Sequence, residues 1–151
     1  MQDSTSSIAD EALAGHNKYR ALHGASPLTW NDDLANYASS WSSKCVFQHS
    51  QGPYGGTPSD EISLLSRVFM FELVENLATG TGAYTVTNAI DEWMSESKDY
   101  DPNNPTYSHF TQVVWKSTTE LGCAVITCPP GSTFPASWGV STLFAYFRPL
   151  I

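Results

Sequence analysis

The 151-residue chain predicts an α+β fold in which helices come first and an antiparallel sheet comes last. Two observations lead there. Apolar residues recur at helical spacing in three stretches before residue 99. After residue 110 the pattern changes to short runs rich in Val, Ile, Thr, Phe and Tyr, separated by Gly and Pro. Strands do not alternate with helices, which argues against a parallel βαβ sheet and for a layered α+β arrangement.

The first helix is expected over residues 9–22, with Ala9, Ala12, Leu13 and Leu22 as its apolar positions and Gly24 as a C-cap glycine. After the Pro27-Leu28 turn, Asn31 suits an N-cap, and Asp32 and Asp33 suit the positive end of the dipole. Leu34, Tyr37, Ala38 and Trp41 then share one face. Residues 51–58, rich in Gly and Pro, read as loop. A third helix is expected over 88–98, with Ala89, Ile90, Trp93 and Met94 facing inward. Pro102 and Pro105 make 99–107 irregular. Strands are expected at 110–116, 121–128 and 141–148, with Gly122, Pro129, Pro130, Gly131 and Pro135 in their separators. No repeat, linker or low-complexity tract divides the chain, so 1–151 reads as a single domain.

Composition narrows the functions. With 41% apolar and 13% aromatic residues the chain can bury a core. No apolar run approaches the roughly 20 residues of a membrane span. Fifteen acidic against seven basic side chains leave a net charge of −8, which argues against nucleic acid and against an anionic membrane surface. The first residues show no basic stretch followed by an apolar one, so a secreted protein would have lost its signal. Cys45, Cys123 and Cys128 allow three pairings with one thiol left over, and no CxxC pair suggests a zinc ribbon.

There is no GxSxG elbow, P-loop, GxGxxG or HExxH. Four separated groups remain: His49, Glu75, Glu96 and His109. Glu92 and Glu96 share a helix face beside Trp93, and His109 begins the first predicted strand. Two imidazoles and two carboxylates suit a divalent metal such as zinc, or an acid/base set; the bland reading is ordinary surface His and Glu. His16 and His23 read as structural. Tyr100, Tyr107 and Phe110 would line an apolar ligand cleft or simply pack over the sheet.

These residues carry a resemblance to the CAP superfamily: cysteine-rich secretory proteins, venom antigen 5 and plant pathogenesis-related class one proteins. Gly15-His16-Asn17-Lys18-Tyr19-Arg20 followed by Pro27-Leu28-Thr29-Trp30 resembles its opening, and His49-Ser50-Gln51-Gly52-Pro53-Tyr54-Gly55 its first histidine segment. Glu75-Asn76-Leu77-Ala78 resembles its GENLA segment, Trp93-Met94-Ser95-Glu96 its WxxE helix, and His109-Phe110-Thr111-Gln112-Val113-Val114-Trp115 its signature strand. The wording is nearest to fungal members. The resemblance implies an α-β-α sandwich with a central antiparallel sheet, secretion to the extracellular space, and a cleft lined by His49, Glu75, Glu96 and His109. Some members hold zinc or magnesium there; no cofactor is required and catalysis is not general. It further implies binding of a small hydrophobic ligand, a sterol or fatty acid, by the loop 98–110 with Tyr100, Tyr107 and Phe110. Defence, or contact with a host protein, is the other role it suggests; a metal-dependent hydrolase ranks below both.

The chain departs from this pattern twice. By resemblance Cys45 pairs with Cys128, worth on the order of 4 kcal/mol. Cys123 would then lack its usual partner, at the position of Ala145, and remain a buried thiol. The second departure is residues 56–74. Removing these 19 residues joins Gly55 to Glu75 and restores the family wording. The segment is either an evolved loop insertion or a retained 57-nucleotide intron. A GGT codon at Gly56 and GTA at Val74 would supply the splice ends, so any other codon at Gly56 excludes that splice. Its apolar residues, among them Ile62, Leu65, Val68 and Phe71, are expected to pack on the domain or on another chain, or else to favour aggregation. Val74 stands where relatives have glycine, so strain there and displacement of Glu75 from the cleft are expected, with metal affinity weakened and the cleft partly filled.

Overall fold

The computed structural model describes residues 7–50 and 72–150. Ser7 opens α1 (Ile8–Leu22) by accepting a hydrogen bond from Asp10 N, while the Asp10 carboxylate accepts from Ser7 N. The buried stripe of α1 is Ala12, His16 and Arg20, whereas Leu22 is exposed. The expected apolar face is therefore rotated toward two polar residues. Arg20 is the reason: fully buried, its guanidinium donates to the carbonyls of Ser26, Val113, Trp115 and Thr118 at 2.7–3.0 Å. Four carbonyl dipoles replace the water a buried cation loses, although burial still lowers its pKa. Asn17 pins the next turn, donating to Leu28 O and accepting from Leu28 N.

Strand β1 (Thr29–Trp30) leads into α2 (Asp32–Ser42), whose N-cap Asn31 accepts from Asp33 N and Leu34 N as its position predicts. Next among the described residues come β2 (Glu72–Thr81) and α3 (Val86–Ser95), then a 3₁₀ turn (Glu96–Asp99). Thr85 caps α3 reciprocally with Asn88, so this helix begins earlier than expected and its last turn tightens. After α4 (His109–Val113) follow β3 (Glu120–Cys128), a 3₁₀ turn (Ala136–Trp138) and β4 (Ser141–Leu150).

The sheet runs β1-β3-β4-β2. Pairing is antiparallel for β2 with β4 and for β3 with β4, but the two residues of β1 lie parallel to β3, so the sheet is mixed rather than purely antiparallel. Its two faces serve two cores, because successive strand residues point to opposite sides. Leu77 and Ala124 meet Leu34 and Ala38 of α2. Ala78, Leu121 and Cys123 lie in the larger core with Ala12, Ile90, Trp93, Phe110 and Val113. This is the helix–sheet–helix sandwich. Gly122 lets α2 lie directly on β3, since a Cβ there would come within 2.3 Å of Ala35 N and Leu34 Cβ.

Further expectations change. Strands β1 and β2 come before α3 and α4, so the helices do not all precede the strands. Residues 110–116 do not form a strand: Ser108 caps α4 reciprocally with Thr111, and Phe110 and Val113, three apart, both enter the core. Local capping and a helical burial period outweigh the β propensity of this segment. Val74, with Glu72 and Leu73, belongs to β2 in register with Arg148, and Cys45 is the only non-glycine residue with positive φ among those described. The expected strain at Val74 is absent, and the last three residues of 56–74 extend a strand. The packing expected for its apolar stretch falls within 51–71, outside the described residues. Finally, Cys45 and Cys128 form a disulfide and Cys123 is a buried thiol, but the register partner of Cys123 is Tyr146, while Ala145 opposes Ala124.

Candidate functional site

Where the start of β2, the 3₁₀ turn after α3 and the N-terminus of α4 converge, they enclose a cleft of about 540 Å³. His49, Glu75, Glu96 and His109 all line it, together with Asn76, Asp99, Tyr100, Thr106, Tyr107, Ser108 and Gln112. Glu75 is therefore not displaced. Its Oε1 lies 2.8 Å from His49 Nδ1 and also accepts from Ser50 N, and its side chain is only 7% exposed against 63% for His49.

The second pair is held from more directions. Ending the last turn of α3, Glu96 places Oε1 2.7 Å from His109 Nδ1 and accepts from Phe110 N with Oε2. The imidazole of His109 stacks on Trp93, centroids 6.0 Å apart and planes within 18°, and its backbone carbonyl accepts from Asn76 Nδ2 at 3.1 Å. Burial alone would raise the pKa of Glu96, but the hydrogen bonds from His109 and Phe110 N and the charge of His109 outweigh it, and the net shift is downward. The site is acidic and polar at its base, with exposed aromatic rings at its rim.

The four residues thus come as two imidazole–carboxylate pairs. Among the described residues no three His, Cys, Asp or Glu side chains gather closely enough to hold one ion. Both carboxylates are spent on orienting an Nδ1, an arrangement that in metalloproteins surrounds the ligands rather than supplying them. The residues as placed do not fit a centre of three or four protein ligands, zinc or magnesium. Glu92, on the same helix as Glu96, accepts from the Tyr84 hydroxyl at 2.5 Å and does not line the cleft.

Phe110 does not line the cleft either. It is 6% exposed, in the core, with its ring against His23 and edge-on to Tyr100 at 5.6 Å. Tyr107 is 86% exposed, tilted against Trp115. His16, fully buried with Nδ1 2.9 Å from Ala12 O, and exposed His23, with Nδ1 2.8 Å from Tyr19 O, stand apart from the cleft. Among the cleft residues not expected from the sequence, which include Asp99 and Gln112, Asn76 is the one that bonds the backbone of His109. Its signal was adjacency to Glu75, but one amide carries no chemical signature until its carbonyl partner is in place.

Known proteins resemble the chain in sequence and in fold. The cysteine-rich secretory protein family, CAP, matches residues 13–144. The fruiting body protein SC7 of Schizophyllum commune is 40% identical over 126 residues, covering 82% of this chain and 53% of its own length. Pathogenesis-related protein 1A of Nicotiana tabacum is 35% identical over 130 residues, covering 79% of this chain and 66% of its own. The chain thus spans about half to two thirds of these two relatives. Among solved structures, that of MpPR-1i superposes with a TM-score of 0.64 at 19% identity, over 99% of this chain and 93% of its own, which supports the fold. The chain belongs to the cysteine-rich secretory protein (CAP) family, with fungal and plant pathogenesis-related relatives.

Proposed function

We propose that this is a secreted, single-domain binder of small apolar molecules bearing one neutral polar group, a sterol in preference to an ionised fatty acid, and that it acts by binding rather than catalysis. The observation that carries this reading is the contrast within one cleft. Tyr107 and Tyr100 expose 86% and 38% of their surface at its rim, while Glu75, Glu96 and Asp99 line it. Aromatic rings left in water suit the apolar body of a ligand, and a cleft of this size accommodates a drug-sized molecule. Three carboxyl side chains oppose a ligand carboxylate but accept hydrogen bonds from a hydroxyl. Secretion is supported by the family and by the disulfide, which persists in oxidising compartments. Each imidazole has its Nδ1 committed to a carboxylate, which favours a fixed recognition surface.

The test is a titration with a fluorescent sterol and, in parallel, a fluorescent fatty acid at pH 7.5, on the chain, on Tyr107→Ala and on a version lacking 56–74. Saturable sterol binding weakened by Tyr107→Ala supports the reading. Binding restored only by the deletion would mean that 56–74 obstructs the cleft. Absence of sterol binding in all three, or stronger fatty-acid binding, refutes it.

A further inference from the structure

At the disulfide end of the sheet, two loops carry apolar side chains outward on rigid turns. In the first, Cys45 takes φ +53°, Gln48 N donates to Val46 O at 2.9 Å, and Trp41 Nε1 donates to Gln48 O at 2.8 Å. This holds Phe47 at the apex of a three-residue turn, where Val46 and Phe47 remain 49% and 53% exposed. The second loop joins β3 to β4. Its 3₁₀ turn ends at Trp138, which stacks on Phe134 with centroids 5.4 Å apart and is 61% exposed; Gly139 follows at φ +82°, then Val140, 54% exposed. The Thr133 and Ser141 hydroxyls, 2.5 Å apart, close this loop at its base. The disulfide brings the Cα atoms of Cys45 and Cys128 to 5.6 Å, and Cys128 is the register partner of Ser141, so both loops rise from one end of the sandwich.

Charge sets this tip apart. None of the fifteen acidic residues lies in 41–48 or 128–142, and Lys44, resting over the Trp41 ring, is the only charged side chain in these two stretches; the Glu75 carboxylate meets the chain just beyond, at His49 and Ser50. Among the described residues, the apices of these two loops, Val46 to Gln48 and Phe134 to Val140, thus carry no charged side chain in a chain of net charge −8. We infer that Phe47, Trp138 and Val140 dock the protein on the surface of an electrically neutral, zwitterionic membrane. Tryptophan and phenylalanine beside uncharged polar groups suit the headgroup boundary, where an aromatic body is buried while its polar neighbours stay wet. Rigid turns mean that little side-chain or loop entropy is lost on contact. Anionic lipid would repel the rest of the acidic chain. The inference rests on the tip alone and stands whether or not the cleft binds sterol.

The experiment measures partition of the full chain onto phosphatidylcholine vesicles and, at the same ionic strength, onto phosphatidylglycerol vesicles. It is repeated with Phe47→Ser/Trp138→Ser and with Phe47→Ser alone, the melting temperature of each being recorded. Partition onto phosphatidylcholine that exceeds that onto phosphatidylglycerol, and falls roughly ten-fold or more in the double variant, is expected. The single variant, at a well-exposed position, answers the question if the double variant unfolds. Three results overturn the inference: no partition of the unaltered chain, partition unchanged by either folded variant, or sedimentation showing a dimer that the double variant dissolves while vesicles are ignored.

Discussion

Replacing both Cys45 and Cys128 with alanine removes a cross-link between residues 83 apart in sequence. In the chain-entropy model a loop of that size restricts the unfolded ensemble by about 15 cal/mol/K, or about 4.5 kcal/mol at 25 °C. For 151 residues the entropy of unfolding near 60 °C is about 0.3 kcal/mol/K, so the melting temperature should fall by about 14 °C. Alanine is the right replacement, because Cys45 holds φ +53° and glycine would relieve that strain and mask part of the loss. Loop length enters only as a logarithm, so deleting the 19 residues 56–74 changes the effect by about 0.2 kcal/mol and does not confuse it. Urea unfolding and calorimetry measure the loss. A thiol titration in denaturant without reductant should find one reactive group, Cys123, in the unaltered chain. A stability change below about 1 kcal/mol, or three reactive thiols, would refute the reasoning.

Gly122→Ala should cost more than about 3 kcal/mol in urea unfolding, because its Cβ meets backbone of α2 rather than a movable side chain. Phe110→Ala should cost about 3–5 kcal/mol as a core truncation, whereas Tyr107→Ala should stay within about 0.5 kcal/mol while weakening sterol binding; equal stability losses would refute their separate placement. Glu96 has a lowered folded-state pKa, so its stabilisation is present above the ordinary glutamate range and is lost as pH falls through the depressed value. Glu96→Gln should therefore flatten the acid limb of the stability curve below about pH 4.5 and leave the limb above pH 7 alone, and an unchanged acid limb would sink that assignment.

Much of the fold could be read from short-range chemistry. Asn31 announces α2 because its side chain satisfies the backbone donors that follow it. Ala89, Ile90, Trp93 and Met94 mark the inward face of α3 at helical spacing, and all four are buried. The four site residues could be named from residue type and from the family wording, and all four line one cleft. Other features were hidden because they depend on partners distant in sequence. The β-rich composition of 110–116 conceals a capped helix whose two core positions are defined only by what packs on them. Strand β2 is legible only through β4, some seventy residues later. Arg20 looks like a surface cation until four carbonyls, three of them more than ninety residues away, surround it.

The sequence by itself determined the start of α2, the inward face of α3, the last two strands and the acidic character, and with the family wording it named the four cleft residues. The first four depend on side chains within a few positions of one another, or on composition alone; the cleft residues depend on residue type and the family resemblance. Only the tertiary structure decided that the histidines and glutamates meet as two separate pairs, that Phe110 supports the cleft from the core instead of lining it, and that the two apolar loops leave one end of the sheet. Those outcomes follow from strand register, the crossing of α3 with α4 and the disulfide, which bring together residues between which local sequence carries no distance information.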